Sequence, residues 1–113
     1  MRSKESFGEH IRNLRESLGL PLRKVAAALD LDPSTLSKIE RGERTANKDM
    51  IPVFAELFNE SEDQLVLILL SDKVAYDLVR EDNPEEILMV AEEKIKYLKI
   101  KKLEQGKLDF DKP

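Results

Sequence analysis

The chain has 113 residues, enough for one compact domain or one small domain with a helical extension. It has no cysteine, which excludes disulfide frameworks, thiol nucleophiles and the usual zinc clusters. The net charge of −4 at first opposes a polyanionic partner, but the charge is unevenly spread. Residues 1–46 hold nine basic against seven acidic side chains, a net of +2, and residues 47–113 hold ten against sixteen, a net of −6. Charges separated by more than roughly 8–10 Å are largely screened, so the local balance decides, and the first half is compatible with a phosphate backbone. The longest apolar run, Leu65 to Leu70, is too short to span a bilayer. The opening MRSKESFGEH lacks the apolar segment of a secretory signal, so the expected compartment is the cytoplasm.

Helix signals recur along the chain, and strand-like alternation does not. Ser6 with Glu9 forms a capping box, followed by Phe7, Ile11, Leu14 and Leu18 at helical spacing and by Gly19 as a left-handed stop. A second short helix runs from Leu22 to Leu29. Asp32-Pro33 opens a third, with Asp as the cap that accepts amide hydrogens and Pro at the first helical position, and Gly42 closes it. A fourth covers about Asp49 to Phe58. Ser61 with Gln64 opens a helix through Leu65–Leu70, and a further short helix is expected from Asp72 to Arg80. Asn83-Pro84-Glu85-Glu86 is a strong start for a last helix, expected to end at Gly106 with lysines crowding its C-terminal half, as the helix dipole favours. Residues 107–113 read as a flexible tail.

Leu22 to Ile39 has the spacing of a helix-turn-helix. Ala26 stands where two helices cross too closely for a larger side chain. Val25, Leu29, Leu36 and Ile39 supply the wedge of core between them. Asp30 supplies the turn, being one of the few residue types that tolerate a left-handed backbone.

The segment Asp32-Pro33-Ser34-Thr35-Leu36-Ser37-Lys38-Ile39-Glu40-Arg41-Gly42-Glu43-Arg44 resembles the XRE family, helix-turn-helix regulators related to the Cro and repressor proteins of phages. The resemblance covers about residues 7 to 70. It implies that the third helix enters the major groove, with Pro33, Ser34, Thr35, Ser37 and Lys38 as the base-reading set. A Lys ammonium can bond guanine O6 and N7, so Lys38 is the leading reader. The resemblance also implies phosphate contacts from Arg41, Arg44, Thr45, Asn47 and Lys48, which position the protein without reading sequence. Arg15 and Glu40 are implied as a structural ion pair. Two departures stand out: Leu22 replaces the family's usual phosphate-bonding Gln, and Asp30 replaces its usual turn Gly.

No catalytic residue, metal set or cofactor is expected, since one His, no Cys and no Gly-rich phosphate loop leave no recognisable machinery. His10 reads as an ordinary surface or packing residue. The last helix gathers Ile87, Leu88, Ala91, Ile95 and Leu98 on one face as a dimerisation stripe, with folding back within the monomer as the alternative. The expected architecture is all-α: a five-helix repressor-like domain over residues 1–70, a helical dimerisation segment over 71–106 and the tail. The expected function is sequence-specific binding of double-stranded DNA by a homodimeric regulator, a repressor on a palindromic operator, with no membrane or small-molecule partner. Antitoxin and restriction–modification control are open roles of the same fold. The rival reading is a protein-interaction module that keeps this fold without binding DNA.

Overall fold

The computed structural model describes residues 4–111, with side chains described as far as Gln105. Six α-helices and one 3₁₀ turn follow in order: α1 Phe7–Ser17, α2 Leu22–Ala28, α3 Pro33–Glu40, the turn Lys48–Met50, α4 Ile51–Phe58, α5 Glu62–Leu78 and α6 Pro84–Asp111. No strand occurs among the described residues, and the architecture is all-α. The chain divides into two compact units, residues 1–75 and 76–113, with the boundary inside α5. None of the described helices is long and apolar enough to cross a membrane.

In the first unit, four helices stop by one device. Gly19, Asp30, Gly42 and Asn59 all take positive φ (66°, 57°, 77° and 53°). In each case the next amide reaches five residues back: Leu20 to Arg15, Leu31 to Ala26, Glu43 to Lys38 and Glu60 to Ala55, at 2.8–3.0 Å. This left-handed cap satisfies carbonyls that the helix end leaves free and turns the chain sharply. Asp30 thus takes the left-handed backbone that the sequence requires of it, and Asn59 does the same at a place where no turn residue was foreseen.

The helix starts are less uniform. Glu9 N donates to Ser6 Oγ at 3.2 Å and Gln64 N to Ser61 Oγ at 3.4 Å. Asp32 occupies the cap of α3, but its side chain accepts no cap bond. Pro33 has already removed one orphan donor, and the amides of Thr35 and Leu36 go to the Asp32 carbonyl at 3.0 and 3.2 Å. His10 Nδ1 lies 3.0 Å from Glu5 Oε2.

Two boundaries differ from the sequence reading. The helix expected at Asp72–Arg80 is the second half of α5, not a separate element. Ser71 Oγ donates back to the Ile68 carbonyl at 3.0 Å, and so adds a bond inside the helix instead of starting a new one. From within α5 the Asp72 side chain accepts from Phe7 N at 2.8 Å through Oδ2, capping α1 from a distance of 65 residues in sequence. In the second unit, α6 passes through Gly106 to Asp111, so the expected stop is not made and the expected tail is helical over 107–111. A glycine inside a helix costs only about 1 kcal/mol relative to Ala, and no proline follows until Pro113.

The core of the first unit joins Phe7 and Ile11 of α1, Val25 and Ala26 of α2, Leu36 and Ile39 of α3, Phe54 and Phe58 of α4, and Leu65, Ile68 and Leu69 of α5. Phe54 is its centre, edge-on to Phe7 with centroids 5.7 Å apart and stacked on Phe58 at 5.9 Å. Leu65–Leu70 divides between core and surface: Leu65, Ile68 and Leu69 are buried, whereas Leu67 and Leu70 are exposed.

At Gly8 the backbone of α1 meets the end of α3 with no room for a side chain. A Cβ built there would lie 2.7 Å from the Glu40 carbonyl oxygen and nearer still to that of Ile39. Those atoms are backbone at the end of α3 and cannot rotate away. Gly8→Ala is therefore expected to push α1 off α3 and destabilise the first unit by about 2–3 kcal/mol. Urea unfolding measures this, and a loss below about 0.5 kcal/mol, the range of ordinary surface changes, would show that the two helices have room to part.

Candidate nucleic-acid interface

The site is built around the two sides of α3. Leu36, Ile39 and Glu40 share one side and are buried. Pro33, Ser34 and Lys38 lie on the other and are exposed, with Thr35 and Ser37 half-buried at its margins. Spacing of three and four residues gives each side its continuity. Ala26, fully buried, lets α2 cross α3 closely while Val25 and Leu36 fill the angle between them. The Schellman-type turn at Asp30 sets that angle, since Asp30 N also donates to Ala27 O at 3.1 Å.

The other end of α3 is locked by charge. Arg15 Nε donates to Glu40 Oε2 at 2.8 Å and Nη2 to Oε1 at 3.1 Å, a two-pronged pair, while Nη1 donates to the Leu20 carbonyl at 3.0 Å. Glu40 is the one buried charged residue among those described. An acid at the last residue of a helix faces the negative end of the dipole, and Arg15 offsets this. The hydrogen bonds with Glu40 in turn raise the Arg15 guanidinium above its already basic ordinary value. Arg15 thereby fastens α3 to α1 beside the Gly8 contact.

Past α3 the loop is held to that helix by its own backbone. The amides of Glu43 and Arg44 both donate to the Lys38 carbonyl, at 2.8 and 3.3 Å, and Ala46 is buried. Arg41, Arg44, Thr45, Asn47 and Lys48 are all exposed along this path. Among the described residues no acid pairs with Lys38, Arg44 or Lys48. Arg41 is different, because its Nε lies 2.6 Å from Glu43 Oε2 on the open surface. The structure therefore brings the base-reading and phosphate candidates into one exposed tract, with Arg41 engaged by a neighbouring acid.

Beside α3 an open recess of about 210 Å³ is lined by Arg12, Arg15, Leu22, Ser37, Glu40 and Arg41. Sequence reasoning did not select Arg12, which the fold brings to the same recess as Arg41. The available signal was its place one turn before Arg15 on the same helix. Its guanidinium bonds Glu16 at 2.9 Å. Leu22, half-buried, packs against the core, which is what an apolar residue gains at a place where the resemblance anticipates a polar one.

The remaining candidates lie in the second unit. Of the residues expected to form a dimerisation stripe, Leu88, Ile95 and Leu98 are more than half exposed, and Ile87 and Ala91 are half-buried.

Comparison with family models matches residues 11–65 to the helix-turn-helix family, from Ile11 in α1 to Leu65 in α5. This chain carries a Cro/repressor-type helix-turn-helix domain of the XRE family. Comparisons with curated proteins and with solved structures give no match. The matched region includes both helices of the motif, the loop after α3 and the Arg15–Glu40 lock, so the helix-turn-helix is a DNA-binding element with a defined outward side.

Two outcomes are expected here. Glu40→Ala leaves a guanidinium that is only 14% exposed without its partner, at a cost of about 3–5 kcal/mol, whereas replacing Arg15 and Glu40 together with apolar residues is milder than either single change. A double-mutant cycle by chemical unfolding reads the coupling, and plain additivity would refute it. Glu43→Gln frees Arg41, so DNA affinity should rise and its salt slope steepen by about 0.9 for one added phosphate contact. An unchanged slope would take Arg41 out of the phosphate-gripping set.

Proposed function

We propose that this protein is a cytoplasmic transcriptional regulator that binds double-stranded DNA sequence-specifically, acting as a repressor on a palindromic operator as a homodimer. The observation that carries the reading is the pair of sides on α3: one wedged and ion-paired, the other open, with Lys38 and Ser34 free to meet base edges. Arg44, Thr45, Asn47 and Lys48 follow as the phosphate grip, arranged so that contacts to one strand fix the insertion of α3. A two-fold operator matches two copies of such a helix, set about 34 Å apart to reach successive major grooves. Nothing in this assignment requires a cofactor or a small ligand.

Selection of bound duplexes from a random pool, followed by gel shifts across salt concentrations, tests the reading. A recovered two-fold consensus supports it. Failure to shift any duplex at low salt would leave the fold serving protein contacts instead. Within a recovered site, Lys38→Ala is expected to cost roughly 1–3 kcal/mol and to relax preference at one position of each half-site. Arg44→Ala should instead weaken all sequences alike and flatten the salt slope by about 0.9. Identical selected sites for parent and Lys38→Ala would remove Lys38 as a reader.

A further inference from the structure

The charges of α6 are sorted in blocks. Residues 84–93 hold four Glu and no base, and residues 94–103 hold five Lys and no acid. The helix dipole accounts for Glu85 and Glu86 in the first turn, but its influence fades within a turn of each end. Because α6 continues to Asp111, the lysines sit in mid-helix, and the last turn holds no basic residue. Contacts within the helix absorb little of this charge. Lys96 Nζ lies 3.6 Å from Glu92 Oε1, with both side chains about 70% exposed, a pair worth a few tenths of a kcal/mol.

A second pattern coincides with the first. Leu88, Ala91, Ile95 and Leu98 recur at steps of three, four and three, the spacing of a coiled-coil seam. Leu88, Ile95 and Leu98 are exposed, from 52% to 59%. The centre of this quartet is residue 93, and the change of charge sign falls between residues 93 and 94. Reversing the helix about that point lays Leu88 against Leu98 and Ala91 against Ile95, and it lays the acidic block along the lysine block. Aligning two copies in the same direction would instead set four Glu against four Glu and five Lys against five Lys.

We propose that a second copy of this chain covers the apolar stripe of α6, and that the two helices run antiparallel about an axis at Glu93. Such an interface is isologous, so each contact between two different positions is made twice, once on either side of the axis. The apolar quartet supplies the burial, and the charge blocks choose the orientation by making the parallel alternative repulsive. The proposal rests on the homodimeric reading above and adds the direction of pairing.

The absence of native cysteine makes the test clean in the full-length chain. Leu88→Cys and Leu98→Cys are prepared separately, one with a size tag, and oxidised with diamide alone and mixed. Both sites are exposed, so neither substitution disturbs the core of the first unit. Antiparallel pairing gives the mixed 88–98 disulfide on mixing and little product from either variant alone. In that arrangement identical positions are ten residues apart, about 15 Å along the axis, which exceeds the reach of a disulfide. Self-linked Leu88→Cys and Leu98→Cys products with no mixed species would establish parallel pairing and overturn the orientation while leaving the dimer. Sedimentation equilibrium of the parent chain adds the second readout. Lys99→Glu with Lys101→Glu should raise the dimer dissociation constant roughly tenfold or more at low salt, and a parent monomeric at every concentration would overturn both orientation and dimer. DNA binding by the same preparations in gel shifts separates that failure from failure of the DNA-binding reading.

Discussion

The first unit depends on how the end of α3 is held against α1. Two contacts a few residues apart do this: Gly8 admits the carbonyls of Ile39 and Glu40, and Arg15 takes both carboxylate oxygens of Glu40. The first sets how near the helices come and the second prevents α3 from rotating or lifting at that distance. A buried acid at the negative end of a helix is unfavourable by itself, so Glu40 is stable there only with Arg15 present. The pair spans 25 residues in sequence, and it exists only once α2 and the Asp30 turn have brought α3 back across α1.

Rigidity on one side of α3 is what makes the other side usable. A helix that reads base edges has to present its side chains at a fixed height and angle, because hydrogen bonds lose strength steeply with distance and misalignment. Ala26, Val25 and Leu36 fix the angle, the Arg15–Glu40 pair fixes the far end, and the Lys38 carbonyl pins the loop that follows. The exposed residues Ser34, Lys38, Arg44 and Lys48 take no part in this packing, so their chemistry can vary without disturbing the fold. Glu43 is the exception in the tract, an acid that engages Arg41 and tempers the positive field where phosphate is expected.

The second unit works by different rules. Its helix carries exposed apolar residues and a charge pattern that neither its dipole nor its own short-range pairs absorb. Met89, Val90 and Ile100 are also exposed and lie outside the Leu88–Leu98 stripe, so the stripe alone does not fix the direction in which a second helix would run. The order of charge along the axis, acid first and lysine second, is the clearer signal, and it acquires meaning only when the helix is long enough to have a middle.

Much of the helix-turn-helix was legible in the residues themselves. Left-handed stops at Gly19, Asp30 and Gly42, the wedge of Val25, Leu36 and Ile39, and the proline start of α3 are local matters, decided by backbone sterics and periodicity within one or two turns. The long-range contacts were not legible in that way. Asp72 reads as part of a short helix, yet its side chain also caps α1 by accepting from the Phe7 amide, a contact made between residues 65 apart in sequence. Gly8 carried no sequence signal beyond its identity, since what forbids a side chain there is the backbone of another helix. Gly106 met the local criteria for a stop and was passed over, because a single glycine weakens a helix by less than continuation of the chain on both sides sustains it. Sequence by itself determined the turns at Gly19, Asp30 and Gly42 and the inward positions Leu36 and Ile39 of α3. Tertiary structure decided which charges meet, because ion pairs and caps between distant segments depend on distances that folding alone creates.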